Sequence, residues 1–103
     1  MMLGFFVSTM EFCVYILHSE SLSRFYTGYT SNYSLRSSFH LNPESRKFTY
    51  KADDWVLYLK IDCQSQQQAM AIERHIKRMK SAVYIKNLKK YPEIITKLLD
   101  KYK

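Results

Sequence analysis

The stretch FCVYILHSESLSRFYTGYT, residues 12–30, decides the architecture. FCVYIL (12–17) mixes aromatic and β-branched side chains without a break, which is the composition of a buried strand. HSESLSR (18–24) is polar and reads as a turn. FYTGYT (25–30) then resumes the strand composition, so the chain folds back on itself as a hairpin. One residue in the second strand is out of character. Gly28 is one of only two glycines in 103 residues, and glycine weakens a strand interior unless some group must come close to the backbone.

Beyond the hairpin, Ser31 or Asn32 can cap a short helix running to about His40. Leu35 and Phe39 share one face of it at i, i+4, and Arg36 and His40 share the neighbouring face. Residues 42–54 are polar, contain a proline and read as a connecting loop. WVLYLKI (55–61) is a third strand. Ser65 and Gln68 have the spacing of a capping box, and the helix they open, to about Lys80, sets Ala69, Ile72, Ile76 and Met79 on one apolar stripe. Ser81 caps a further helix carrying Ile85 and Leu88. Tyr91-Pro92 ends it, and Pro92 begins a last helix expected to bury Ile94, Ile95, Leu98 and Leu99. The order ββαβααα predicts an α+β fold: a small three-stranded antiparallel sheet flanked by helices, with a helical tail at 81–103. Residues 12–103 are expected to form one domain and residues 1–11 a loose extension. MMLGFFVSTM lacks the positive region and small-residue cleavage site of a signal peptide, and no segment has the length of a transmembrane span.

The formal net charge is +7, and its distribution is uneven. From Glu73 to the end there are ten Lys or Arg against three acids, whereas residues 1–72 hold six of each. An anionic partner is expected, although a solvated helical face accounts for a charge run equally well on its own. Cys13 and Cys63 both lie in apolar runs and read as reduced core residues of a cytoplasmic protein, with a single disulfide between them left open. His and Cys do not cluster at zinc-ligand spacing.

Several placements converge on one chemistry. Tyr15 lies on the first strand, Tyr26 and Gly28 on the second, and Arg36 and His40 on the helix that leaves the hairpin. Glu73 is the one acid of the long helix and stands where the basic segment starts. A hard divalent cation needs only one or two carboxylates, since water and phosphate oxygens complete its shell. Such an ion polarises a phosphoryl group and its leaving oxygen. An arginine can offset charge in the transition state, and a tyrosine can orient or deprotonate water. Taken singly, each residue has an ordinary reading: strand packing for the tyrosines, a solvent face for Arg36 and His40, an i, i+4 partner of Lys77 for Glu73.

As an ordered set they resemble the GIY-YIG nuclease superfamily, most closely its small stand-alone branch related to the nuclease domain of bacterial excision-repair proteins. CVYIL places Val14-Tyr15 at the first motif, and FYTGYT places Tyr26-Thr27-Gly28 at the second. In LRSSFH, Arg36 falls at the helix arginine and His40 one turn on. In AMAIERHIKRMKS, Glu73 falls at the metal-binding glutamate. The resemblance covers about residues 12–81. It implies a DNA endonuclease using a single Mg²⁺ or Mn²⁺ on Glu73, with Tyr15, Tyr26, Arg36, His40 and Glu73 catalytic. Gly28, Arg74, Lys77, Arg78 and Lys80 would contact nucleic acid, Gly28 by letting a phosphate or the first helix approach its backbone. Two positions depart from the family pattern: Cys13 replaces the first-motif glycine, and Tyr29 replaces the lysine of the repair branch. The competing expectation is a nucleic-acid-binding module that keeps the fold and cuts nothing.

Overall fold

The computed structural model describes residues 11–31 and 54–103. Three strands, β1 (Cys13–Ser19), β2 (Arg24–Thr30) and β3 (Val56–Asp62), form an antiparallel sheet in the order β2-β1-β3. Three helices follow: α1 (Gln66–Met79), α2 (Ala82–Lys90) and α3 (Pro92–Lys101). The expected α+β architecture is therefore observed, with strand ends moved by one or two residues. The short helix expected to end at His40, with Arg36 on it, and most of the loop to residue 54 lie outside the described residues. Glu11 already belongs to the sheet region, its N–H donating to the Ser31 carbonyl at 3.0 Å.

The central position of β1 explains its unbroken apolar run. Val14 and Ile16, with Ile61 of β3, point into a core completed by Ala69, Ile72 and Ile76 of α1 and by Ile85, Leu88 and Leu98 from the tail helices. Strand alternation turns Cys13 and Tyr15 to the opposite face, where both are again buried. Burying one such aliphatic side chain stabilises the fold by about 1.5–3 kcal/mol, so helices this short are held by their shared core rather than by intrinsic propensity. A register shift between Ile16 and Leu17 interrupts the β1–β3 ladder. Beside it, the Tyr58 ring packs edge-on against Phe25 at 5.0 Å and receives Lys89 of α2 at 4.4 Å.

The helix boundaries follow from local chemistry. Ser65 Oγ accepts from the Gln68 N–H at 3.1 Å, and Ser81 Oγ from the Tyr84 N–H at 3.1 Å; each cap is worth about 1 kcal/mol. Gln68 differs from the expected capping box. Its Oε1 accepts from the Gln64 N–H at 2.6 Å, one residue before the cap, and its Nε2 donates to the Leu99 carbonyl at 2.9 Å. Gln68 thus also ties α3 to α1. His75 adds a second tie, its Nδ1 lying 3.0 Å from Tyr102 Oη; burial, then Lys101 and Arg78, push its pKa down, favouring the neutral imidazole.

Two burial expectations need correction. Met79 is 45% exposed, because helical rotation carries it to the rim of the stripe and the chain leaves α1 immediately, through left-handed Lys80. In α3 only Leu98 is buried, while Ile94, Ile95 and Leu99 are half-buried against the core, since α3 is the outermost helix and packs through one side. Both cysteines are free. Burial raises both thiols, Cys63 to about 11, so they stay protonated.

A polar clamp fixes the hairpin turn. Asp54, just before β3, accepts from Ser19 Oγ at 2.6 Å, the Ser21 N–H at 2.9 Å and Ser21 Oγ at 3.0 Å. These bonds, the Ser19 hydroxyl first, hold the Asp54 carboxyl down at about 2 against an ordinary 3.8. A depressed folded-state value means that the stabilisation is complete above about pH 4 and disappears as pH falls toward 2. The melting temperature of wild type should drop across that window more steeply than that of Asp54→Asn, which starts lower. Parallel melting curves from circular dichroism would remove Asp54 as the titrating group.

Candidate active site

The hairpin register sets the geometry. Tyr15 pairs with Gly28 and Leu17 with Tyr26, so Tyr15, Tyr26 and Gly28 share the sheet face opposite α1. The two tyrosine rings lie 6.3 Å apart at 51°. A Cβ on Gly28 would sit 2.7 Å from Tyr15 Oη, 2.8 Å from Cζ and 3.2 Å from Cε1. Among the described residues, the group that approaches Gly28 is therefore the phenol end of Tyr15, and Gly28 is itself buried. Its φ is not positive. Space, and not backbone conformation, is what calls for glycine. The consequence is a Tyr15 ring whose phenol end reaches over Gly28 of the neighbouring strand, 4% exposed, beside a half-buried Tyr26.

Glu73 comes from the middle of α1, with its side chain 16% exposed and Lys77 Nζ 2.9 Å from Oε2. The ordinary i, i+4 reading of this pair is thus realised. The pair also has a second setting. Lys77 and Tyr26 line one open groove of about 420 Å³ between the start of β2 and the α1–α2 junction. Tyr26 and Lys77 meet in the lining of this groove, whereas the tyrosine pair lies on the sheet face opposite α1 and Glu73 on α1 itself. Arg74, Lys77, Arg78 and Lys80 are all exposed, as a phosphate-facing surface requires. Arg36 and His40 lie outside the described residues, so their place in the arrangement is an expectation only.

Arg24 was passed over by the sequence reading although it lines the same groove. The available signal was its strand position, two residues before Tyr26 and hence on the same face. For metal binding, Glu73 offers one hard oxygen donor. Among the described residues no three His, Cys, Asp or Glu side chains gather as a metal-holding group. A divalent cation at Glu73 would accordingly take most of its shell from water and phosphate oxygens, a coordination that suits Mg²⁺. Among the described residues, no helix is long and apolar enough to cross a membrane.

The family model described as the GIY-YIG catalytic domain matches residues 11–90. That span takes in every candidate site residue and stops before α3. No curated protein and no solved structure matches the chain significantly.

Proposed function

The chain belongs to the GIY-YIG superfamily, a nuclease fold, and we propose that it is a metal-dependent DNA endonuclease acting in repair, recombination or processing. The observation that carries this reading is the Tyr15–Tyr26 pair, its rings 6.3 Å apart, with Gly28 leaving room for the Tyr15 phenol.

In this mechanism Tyr15 orients or deprotonates the attacking water, and Tyr26 supports it. Glu73 would hold a single Mg²⁺ or Mn²⁺, which when bound supplies polarisation of the phosphoryl group and the leaving oxygen. Lys77 pairs with the Glu73 carboxylate at 2.9 Å and, with a cation held by Glu73, would be available to phosphate. Arg36 offsets the developing charge, and His40 contacts phosphate or water. Arg74, Lys77, Arg78 and Lys80 hold the nucleic-acid backbone, giving salt-sensitive and sequence-tolerant binding. Two free cysteines suit a cytoplasmic protein.

A second reading, a non-catalytic nucleic-acid-binding module, draws support from the Glu73–Lys77 ion pair, which such a module would keep unchanged. Supercoiled plasmid separates the two. The nuclease converts it to nicked circles with Mg²⁺ or Mn²⁺ and leaves it intact in EDTA, and one site per chain makes nicks precede linear product. Intact plasmid under all metal conditions, with DNA retarded on a gel, would establish the binding module instead.

A further inference from the structure

We infer that the groove between the start of β2 and the α1–α2 junction is a phosphodiester subsite for the strand being cut, adjoining the cleavage position; this rests on the nuclease reading above. Three cations line it from two separate elements, Arg24 on β2 and Lys77 and Lys80 at the end of α1. Among the described residues no acid lines it, and no carboxylate pairs with Arg24 or Lys80. The hydroxyl-bearing residues Ser23, Tyr26 and Ser81 add hydrogen-bonding capacity to its wall.

The size and floor of the groove narrow the occupant. A volume of about 420 Å³ is near the lower end for ligand sites, enough for one sugar-phosphate unit and far too small for a duplex. Its floor is apolar, with Phe25, Ile76 and Ile85, while its charges come from long side chains. That division suits a nucleotide, whose phosphate meets the cations while its sugar and base cover carbon. A free sulfate-sized anion would leave the floor bare. Tyr26 is both a member of the candidate catalytic pair and a wall of the groove, so a phosphodiester seated here lies next to the one presented to Tyr15.

The backbone at the α1–α2 end of the groove is set by helix caps. Lys80 adopts φ 48°, ψ 45° as the left-handed cap of α1, its N–H donating to the Lys77 carbonyl at 3.3 Å. Ser81 caps α2 directly after it. The cations are thus presented by a capped helix end and a strand rather than by loose chain. The ordinary alternative is that these lysines and Arg24 sit in water and add only to the general basicity. The two accounts differ in whether the position of a charge matters or only its sign.

The test removes two charges in two places from the full chain. Arg24→Gln with Lys80→Gly removes two of the groove's three cations and leaves Lys77, and glycine suits the left-handed backbone at position 80. Lys97→Gln with Lys101→Gln removes the same charge from α3. Binding of a fluorescein-labelled duplex oligonucleotide is followed by anisotropy in EDTA across a KCl series. The groove variant is expected to lose about tenfold or more in affinity, with the log–log salt slope reduced by about 0.9 per lost phosphate contact. The α3 variant should lose less than about threefold. The melting temperature of the groove variant should hold or rise, and Arg24→Gln alone should move affinity the same way. Equal losses in the two variants, or no loss from the groove pair, overturns the subsite. Nicking keeps this result separate from the nuclease reading. Wild type that binds in the groove but never nicks defeats the nuclease, whereas groove variants that nick with unchanged KM defeat the subsite alone.

Discussion

Glu73→Gln is expected to abolish plasmid nicking while leaving DNA binding in EDTA unchanged or slightly tighter. The substitution preserves length and helix propensity, and the group it removes is the carboxylate charge that a hard cation requires. Without that charge the phosphoryl oxygens lose their main stabiliser, a loss of several kcal/mol, or roughly three orders of magnitude in rate. Folding should hardly notice. The Glu73–Lys77 pair is an i, i+4 contact with Lys77 half exposed, and such pairs are worth about 0.3–0.5 kcal/mol. Binding is spared for a related reason: deleting an anion from a basic surface reduces its repulsion of phosphate, and Lys77 is left unpaired to face the backbone. Wild type and variant nicking at equal rates, each free of host nucleases, would move the metal away from Glu73. A binding module predicts no nicking by either.

The elements that were legible in the sequence are those whose causes are local. FCVYIL announces a strand because β1 is buried on both faces, and Ser65, Ser81 and Pro92 mark helix starts because a cap acts within three residues of itself. Contacts that cross the fold left no such mark. Asp54 and Ser19 are 35 positions apart in the chain, and Gln68 reaches Leu99 over 31; nothing in either segment names its partner. The site divides in the same way. Tyr15, Tyr26 and Glu73 become candidates through their order and residue types. Arg24 was not, because its relevance depends on where the α1–α2 junction lands beside β2. That Tyr15 is the neighbour of Gly28 is hidden by register. A turn read as 18–24 does not say which residue of the first strand faces Gly28, and a slip of one position reverses every side chain. The observed turn, with the ladder closing at Ser19 and Arg24, brings Tyr15 opposite.

That register leads to the second large effect. Gly28→Val should reduce nicking by about a hundredfold while costing comparatively little stability. A Cβ at this position lies 2.7 Å from Tyr15 Oη and 2.8 Å from Cζ, well inside contact distance, so the phenol must shift. It has little room to do so, since Tyr15 is 4% exposed and already lies beside Tyr26. Displacing a positioned group by about an ångström can cost on the order of 10²-fold in rate. The stability cost has opposing parts. Crowding a packed site costs about 1–3 kcal/mol, whereas replacing glycine within a strand recovers roughly 0.5–1 kcal/mol, and valine is at home in extended backbone. Gly28→Ala should act in the same direction but less severely. A double-mutant cycle with Tyr15→Phe isolates the cause. If Gly28 acts by placing the Tyr15 hydroxyl, Gly28→Ala should cost far less nicking activity in the Tyr15→Phe background than in wild type, although its melting cost persists because Cζ still crowds the new methyl. Additive activity losses in the cycle, or a loss no larger than the melting change accounts for, would mean that Gly28 serves the sheet and not the site.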